Sequence, residues 1–204
     1  MLYPRRTVTM GLASVAAIAL TGCGGKSKKE VVQTDANRSR QTDDNTYDEG
    51  TIIDEAKGFF GEGAEAVAKV IEKVFADLGR PNAYIAGEEL SAAIVGGLRY
   101  GDGELHHKLL GEERVYWAGP SIGFDLGANG AKTFVLVYNL YDLESIYQRF
   151  PGVEGSFYLV GGVGVNYQQA GDIILAPIRL GVGLRTGANV GYLHYSKNRK
   201  LLPF

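Results

Sequence analysis

Two periods organise the chain. Between Glu62 and Leu78 the apolar residues Val67, Val70, Ile71, Val74, Phe75 and Leu78 recur at i, i+3, i+4 and i+7, the stripe of an amphipathic helix. Gly79 stands where a C-cap glycine belongs, and Pro81 blocks continuation. After Pro81 the period becomes two. "ELSAAIVGGLRYGDGELHHKLL" reads as a hairpin around Gly101-Asp102-Gly103, and "ERVYWAG" as a further strand. In "PSIGFDLG", Ile122, Phe124 and Leu126 share one side, with Ser121, Gly123, Asp125 and Gly127 on the other. Asn129-Gly130 is a hairpin-turn signal, because both residues tolerate positive φ. "KTFVLVYNL" returns apolar on both faces and must be covered on both. "DLESIYQRF" reverts briefly to helical spacing: Asp142 can cap it, Leu143, Ile146, Tyr147 and Phe150 form its stripe, and Pro151-Gly152 ends it. "SFYLVGGVGVNYQQ" reads as one long strand and "DIILAPIRLGVGLRTGANVGYLHY" as one or two more.

Glycine recurs with the strand period, most clearly in "GVGLRTGANVGYLHY", where it fills odd positions from Gly181. A strand with bulky residues on one face and bare backbone on the other can coil hard. The pattern predicts a mainly β fold: a small antiparallel β-barrel, bulky residues inside and glycines outside, preceded by an amphipathic helix over 51–80 and carrying one short helical insert. Strands do not alternate with long helices, which excludes a parallel α/β sheet.

The first residues read as an address. Arg5 and Arg6 precede an uncharged apolar run, shorter than the ~20 residues a membrane span needs. The run ends in Leu20-Thr21-Gly22-Cys23, a lipobox pattern at the expected place. Residues 1–22 are therefore predicted to be a lipoprotein signal peptide, with Cys23 as the lipidated first residue of the mature chain; several acyl chains anchor firmly where one does not. Gly24 in place of aspartate favours the outer membrane, facing the periplasm. Residues 23–50 are polar and charge-rich with little periodicity, a disordered tether. The barrel is assigned to 81–204.

Composition narrows the chemistry. The 204 residues include 29 Gly and 12 Tyr, with a formal net charge of −2, so nothing supplies the basic footprint of a nucleic-acid binder. Cys23 is the one cysteine, so no internal disulfide forms. Gly119 to Gly123, "GPSIG", matches the nucleophile-elbow spacing, but an elbow needs strand, sharp turn and helix, and Ser121 sits in a period-two strand followed by more glycines. Adjacent His106 and His107 point to opposite faces of a strand and cannot share a metal. No phosphate-binding glycine loop is present, and no cofactor is implied. Arg179, Arg185 and Asn189 share the glycine-rich face, and Asp125 holds the matching face of another strand. They are the candidate contacts for an anionic or carboxylate partner, or else an internal Arg–Asp pair. The terminal "HYSKNRKLLPF" interrupts the alternation that a membrane barrel would need.

From Ala83 to Phe204 the chain resembles the envelope integrity protein A family of Gram-negative bacteria. The carrying segments are "GEELSAAIVGGLRYGDGELHHKLLGE", "VYWAGPSIGFDLGANGAKTFVLVYNLYD" and "YQRFPGVEGSFYLVGGVGVNYQQAGDIILAPIRLGVGLRTGANVGYLHYSK", with the closing "PF". The resemblance implies a periplasmic barrel of about ten antiparallel strands that supports cell-envelope integrity without catalysis, acting on an envelope partner of protein, lipid or polysaccharide. The family pattern suggests a simple cleavable export signal, from which "LTGC" departs. The glycine-rich strands alone are also similar to lipid-binding SYLF domains, which implies an alternative: a barrel that holds a lipid or other apolar ligand.

Overall fold

A computed structural model describes residues 45–61, 64–125, 131–180 and 191–199, without the side chains of 64, 91–97 and 121–125. The expected signal peptide, lipobox and most of the tether lie outside the described residues. Two helices open the fold: α1 (Glu49–Phe60) and α2 (Ala64–Leu78). The segment read as one helix is thus two, and the first begins inside the stretch read as tether. The Asp48 carboxylate accepts from the amide of Thr51 at 2.9 Å and so caps α1. Gly61, at φ 71°, ends α1 by donating its N–H to the Lys57 carbonyl. Gly79, at φ 81°, ends α2 as its position predicts.

Nine antiparallel strands follow among the described residues: β1 (Ala83–His107), β2 (Gly111–Asp125), β3 (Ala131–Tyr138), β4 (Arg149–Pro151), β5 (Tyr158–Val160), β6 (Val163–Val165), β7 (Gln168–Ala170), β8 (Ile173–Leu180) and β9 (Tyr192–Ser196). They pair in the order β4-β9-β2-β1-β3-β8-β6-β5, with β7 also on β8. A bridge between Gly152, just past β4, and Gln168 of β7 brings the ends together and curls the sheet into a barrel. The Val153 amide reinforces that seam by donating to the Tyr167 carbonyl at 2.8 Å. The helical insert is one 3-10 turn, Leu143–Ile146, whose Ile146 is buried; the residues expected to extend it form β4 instead.

One hairpin expectation and one strand expectation change. Gly101-Asp102-Gly103 lies inside β1, and the chain turns at Lys108 to Leu110, with Gly111 at φ 90°. The segment from Ser156 to Gln169 is not one strand. Gly161 and Gly162 take φ 57° and 81°, and this diglycine folds β5 back on β6. The Asn129-Gly130 turn lies outside the described residues.

Strand alternation builds two cores. Inside the barrel lie Ile85, Leu105, Val115, Trp117, Val135, Val137, Leu175, Leu193 and Tyr195, with Phe150, Leu140 and Ile146 filling the same space. Their neighbours Tyr84, Phe134, Leu136, Tyr138, Ile174, Ala176 and Ile178 face outward, where Ile52, Phe60, Val67, Val70, Ile71, Val74 and Leu78 of the helices cover them. This is why β3 is apolar on both faces, as its sequence predicts. The Tyr167 hydroxyl donates to Asp77 at 2.7 Å and pins α2 to the sheet.

The glycines do not all face outward as expected. In β1, Gly87, Gly101 and Gly103 share the inward parity of Ile85 and Leu105. A Cβ on Gly101 would lie 2.1 Å from the Trp117 ring, and one on Gly103 would lie 2.6 Å from the Ala86 carbonyl oxygen. β1 is 25 residues long and bends back until its two arms touch. Its first arm pairs with β3 and its second with β2. At its ends, the Lys108 amide donates to the Asn82 carbonyl at 3.0 Å. The bare inner positions admit that close approach and the indole.

Candidate functional site

The barrel interior holds a buried charged cluster. Glu89 follows the inward parity of Ile85 and Gly87, so β1 carries a carboxylate to a place that is only 4% exposed. Arg179 enters from β8, where it pairs in register with Thr133 and Gly164. Its Nε donates to Glu89 Oε1 at 3.1 Å and one terminal nitrogen to Oε2 at 3.4 Å. Its other terminal nitrogen donates to Asn166 Oδ1 at 2.8 Å. Arg99, on the second arm of β1, brings its Nε to 3.1 Å from Glu89 Oε1. The Trp117 indole N–H donates to Oε2 at 3.0 Å.

One carboxylate thus faces two guanidiniums. Burial pushes the Glu89 carboxyl up, but Arg179, Arg99 and the Trp117 N–H outweigh it, and the group titrates below the usual carboxylate range. Tyr195 pairs with Trp117 across β2 and β9, with ring centroids 5.8 Å apart. Its hydroxyl is fully buried and has no hydrogen-bond partner among the described residues. Burial raises its pKa most, so the phenol stays neutral beside the ions. The arrangement ties β1, β2 and β8 together through one residue. It presents no nucleophile next to a base.

A second buried polar group sits at the end of the barrel where β1 meets β2. His107 Nδ1 accepts from the backbone amides of Leu109 and Leu110, each at 3.1 Å. That assigns the ring proton to Nε2, which donates to the Leu140 carbonyl at 2.7 Å. Asn82 completes the network, donating to the Leu140 carbonyl at 2.6 Å and accepting from the Leu140 amide at 3.2 Å. Burial depresses the His107 pKa, and the bond to the Leu140 carbonyl offsets part of that effect. His106 points the other way: it stacks on Tyr84 with centroids 4.7 Å apart and bonds Glu112 at 2.9 Å. The opposite orientations follow from strand alternation, as the sequence predicts.

Of the predicted contact residues, the structure places Arg179 in the interior, bonded to Glu89 and Asn166. Arg185 and Asn189 lie outside the described residues, as does Cys23, and of Asp125 only the backbone position is described, opposite Ala93. Sequence reasoning missed Glu89, Arg99, Trp117 and Asn166. The available signal was parity: Glu89 is the charged residue on the inward series Ala83, Ile85, Gly87. Ser121 lies within β2, paired with Gly97, so the backbone there is strand and not an elbow. Among the described residues no three His, Cys, Asp or Glu side chains gather to hold a metal.

The family model described as envelope integrity protein A matches residues 45–204. A crystal structure of a beta-barrel-like, uncharacterized protein from Brucella abortus is 44% identical, with a TM-score of 0.71, covering 78% of this chain and 99% of that one. No curated protein matches the chain.

Proposed function

The chain belongs to the envelope integrity protein A family, and on that premise we propose that it is a non-enzymatic component of a Gram-negative cell envelope. In this reading it faces the periplasm, is held at the outer membrane by acylated Cys23, and acts by contact with another envelope component. The observation that carries the reading is the family match over residues 45–204, which spans both helices and every described strand. The interior chemistry is consistent with it. Glu89 is neutralised by its own arginines, and the barrel is plugged by Trp117, Tyr195, Phe150 and Leu105, each at most 2% exposed. A carrier of an acyl chain inside the barrel is the weaker reading, because those side chains occupy the space such a chain would need.

Deleting the gene and challenging the strain with detergent, salt and cell-wall antibiotics tests the role. Sensitivity restored by the intact gene supports it; growth equal to the parent overturns it. Intact mass of the purified protein tests the anchor. Added acyl mass on a chain beginning at Cys23 supports it, and an unmodified chain refutes it.

A further inference from the structure

Three large apolar side chains stand in water at one end of the barrel. Leu109 is 61% exposed, Leu110 46% and Tyr141 55%. They form one patch, because a single imidazole joins their backbones: His107 accepts from the amides of Leu109 and Leu110 and donates to the carbonyl of Leu140, next to Tyr141. That buried ring holds the turn outward. The leucines cannot fold back over the barrel without abandoning two hydrogen bonds to a buried acceptor. A fold that fixes two leucines in solvent by a buried histidine has given them a surface to meet.

The start of the described chain lies at the same end. The Tyr47 ring sits under the Lys108 ammonium at 4.7 Å, and the Tyr47 amide donates to the Pro81 carbonyl at 2.8 Å. Arg80 fixes the neighbouring Thr46 through a 2.9 Å bond. The 22 residues from Cys23 through the polar segment to residue 44 therefore reach the barrel beside the patch. Exposed charges of both signs border it: Lys108 and Glu112 beside the Tyr47 ring, and Asp142 next to Tyr141 in the chain. A cation for a phosphate and carboxylates for an ammonium match a zwitterionic headgroup, while two leucines and a tyrosine suit the apolar–polar boundary beneath it.

We propose that the Leu109–Leu110–Tyr141 end of the barrel docks on the phospholipid surface, seating the domain in one orientation on the membrane. The inference rests on the acylated-Cys23 reading for its proximity to lipid, but the two can fail separately. The full chain, as the cell processes it, is mixed with phosphatidylethanolamine-rich vesicles whose acyl chains are partly brominated, a quencher of tryptophan inside the bilayer. Leu109→Trp and, as a second reporter, Leu110→Trp are compared with Tyr158→Trp on the distant β5 edge; buried Trp117 gives the constant background read from the unsubstituted protein. The expected result is an at least twofold loss of emission at 109 and 110 and little change at 158. Intact mass is measured on the same samples. Acylated protein without quenching at 109 or 110 overturns the docking and leaves the anchor standing. Quenching at 158 instead overturns it too, since the barrel then meets lipid, or a second copy at the lipid, through another face. Quenching at 109 and 110 in unacylated protein upholds the docking while the anchor falls. Neither acylation nor quenching rejects both.

Discussion

Gly103→Ala tests the self-crossing of β1 most directly. The added Cβ would stand 2.6 Å from the Ala86 carbonyl oxygen, 2.9 Å from Gly87 Cα and 3.1 Å from the Ala86 carbonyl carbon. Ordinary contact begins near 3.4 Å, so the two arms must part by the better part of an ångström. Every atom in the way is backbone, and that arm is hydrogen-bonded to β3 from Ala83 to Glu89. No flexible side-chain end can yield. Overpacking costs ~1–3 kcal/mol, and the rigidity places this site near the top of that range. Replacing glycine in a strand returns ~0.5–1 kcal/mol of conformational entropy. The net loss is about 2 kcal/mol, or ~30-fold in the folded-to-unfolded ratio. With a denaturant slope of about 2 kcal/mol/M, the urea midpoint falls by ~1 M. Gly58→Ala makes the same chemical change late in α1, where nothing lies within 4 Å of the new Cβ. There the helix gains ~0.5–1 kcal/mol and the midpoint rises. The test is equilibrium urea unfolding of both variants followed by fluorescence of Trp117. If Gly103→Ala unfolds at or above the parental midpoint while Gly58→Ala behaves as expected, the arms do not meet and the account of the inward glycines is wrong.

Three further outcomes follow from the buried polar groups. Glu89→Gln takes the carboxylate charge away from buried Arg179 and partly buried Arg99 and should cost ~3 kcal/mol or more in urea unfolding; a loss under 1 kcal/mol would mean that the cluster contributes little. The His107 pKa is depressed in the folded state, so the unfolded chain takes up the proton first as pH falls. Stability from this group is therefore complete above pH ~6.5, declines as pH drops from there toward the folded pKa, and is lost below it. In His107→Asn this component of the slope should vanish, and an identical profile would refute the assignment. Tyr167→Phe removes the bond to Asp77 that pins α2 to the sheet, and a loss of ~1 kcal/mol is expected; faster hydrogen exchange confined to α2 would locate the effect, and unchanged exchange there would contradict it.

The candidate site was half legible in the sequence. Arg179 could be picked out because a cation in a glycine-rich strand is conspicuous, and pairing with a carboxylate was the natural alternative to a free site. Its partner could not be named, since Glu89 lies 90 residues away and only the pairing of β1 with β3 and β3 with β8 brings the two together. Trp117 looked like one more strand aromatic; its role as a donor to Glu89 depends on Gly101 leaving room for the indole. The divergent directions of His106 and His107 were readable, because alternation is a property of the strand itself, but their partners were not.

By itself the sequence determined what is local: the helix ending at Gly79, the strand period after Pro81, the doubly apolar β3 and hence a mostly antiparallel β fold with helical cover. Propensity, capping and periodicity act within a few residues, so they leave their mark in the linear order. The tertiary structure alone decided where β1 bends, that glycines line its inner side, that Gly161-Gly162 turns the chain, and which carboxylate meets which arginine. Except for the diglycine turn, which is local, each of these is a contact between segments distant in sequence, and its free energy exists only once the sheet has curled and the segments touch.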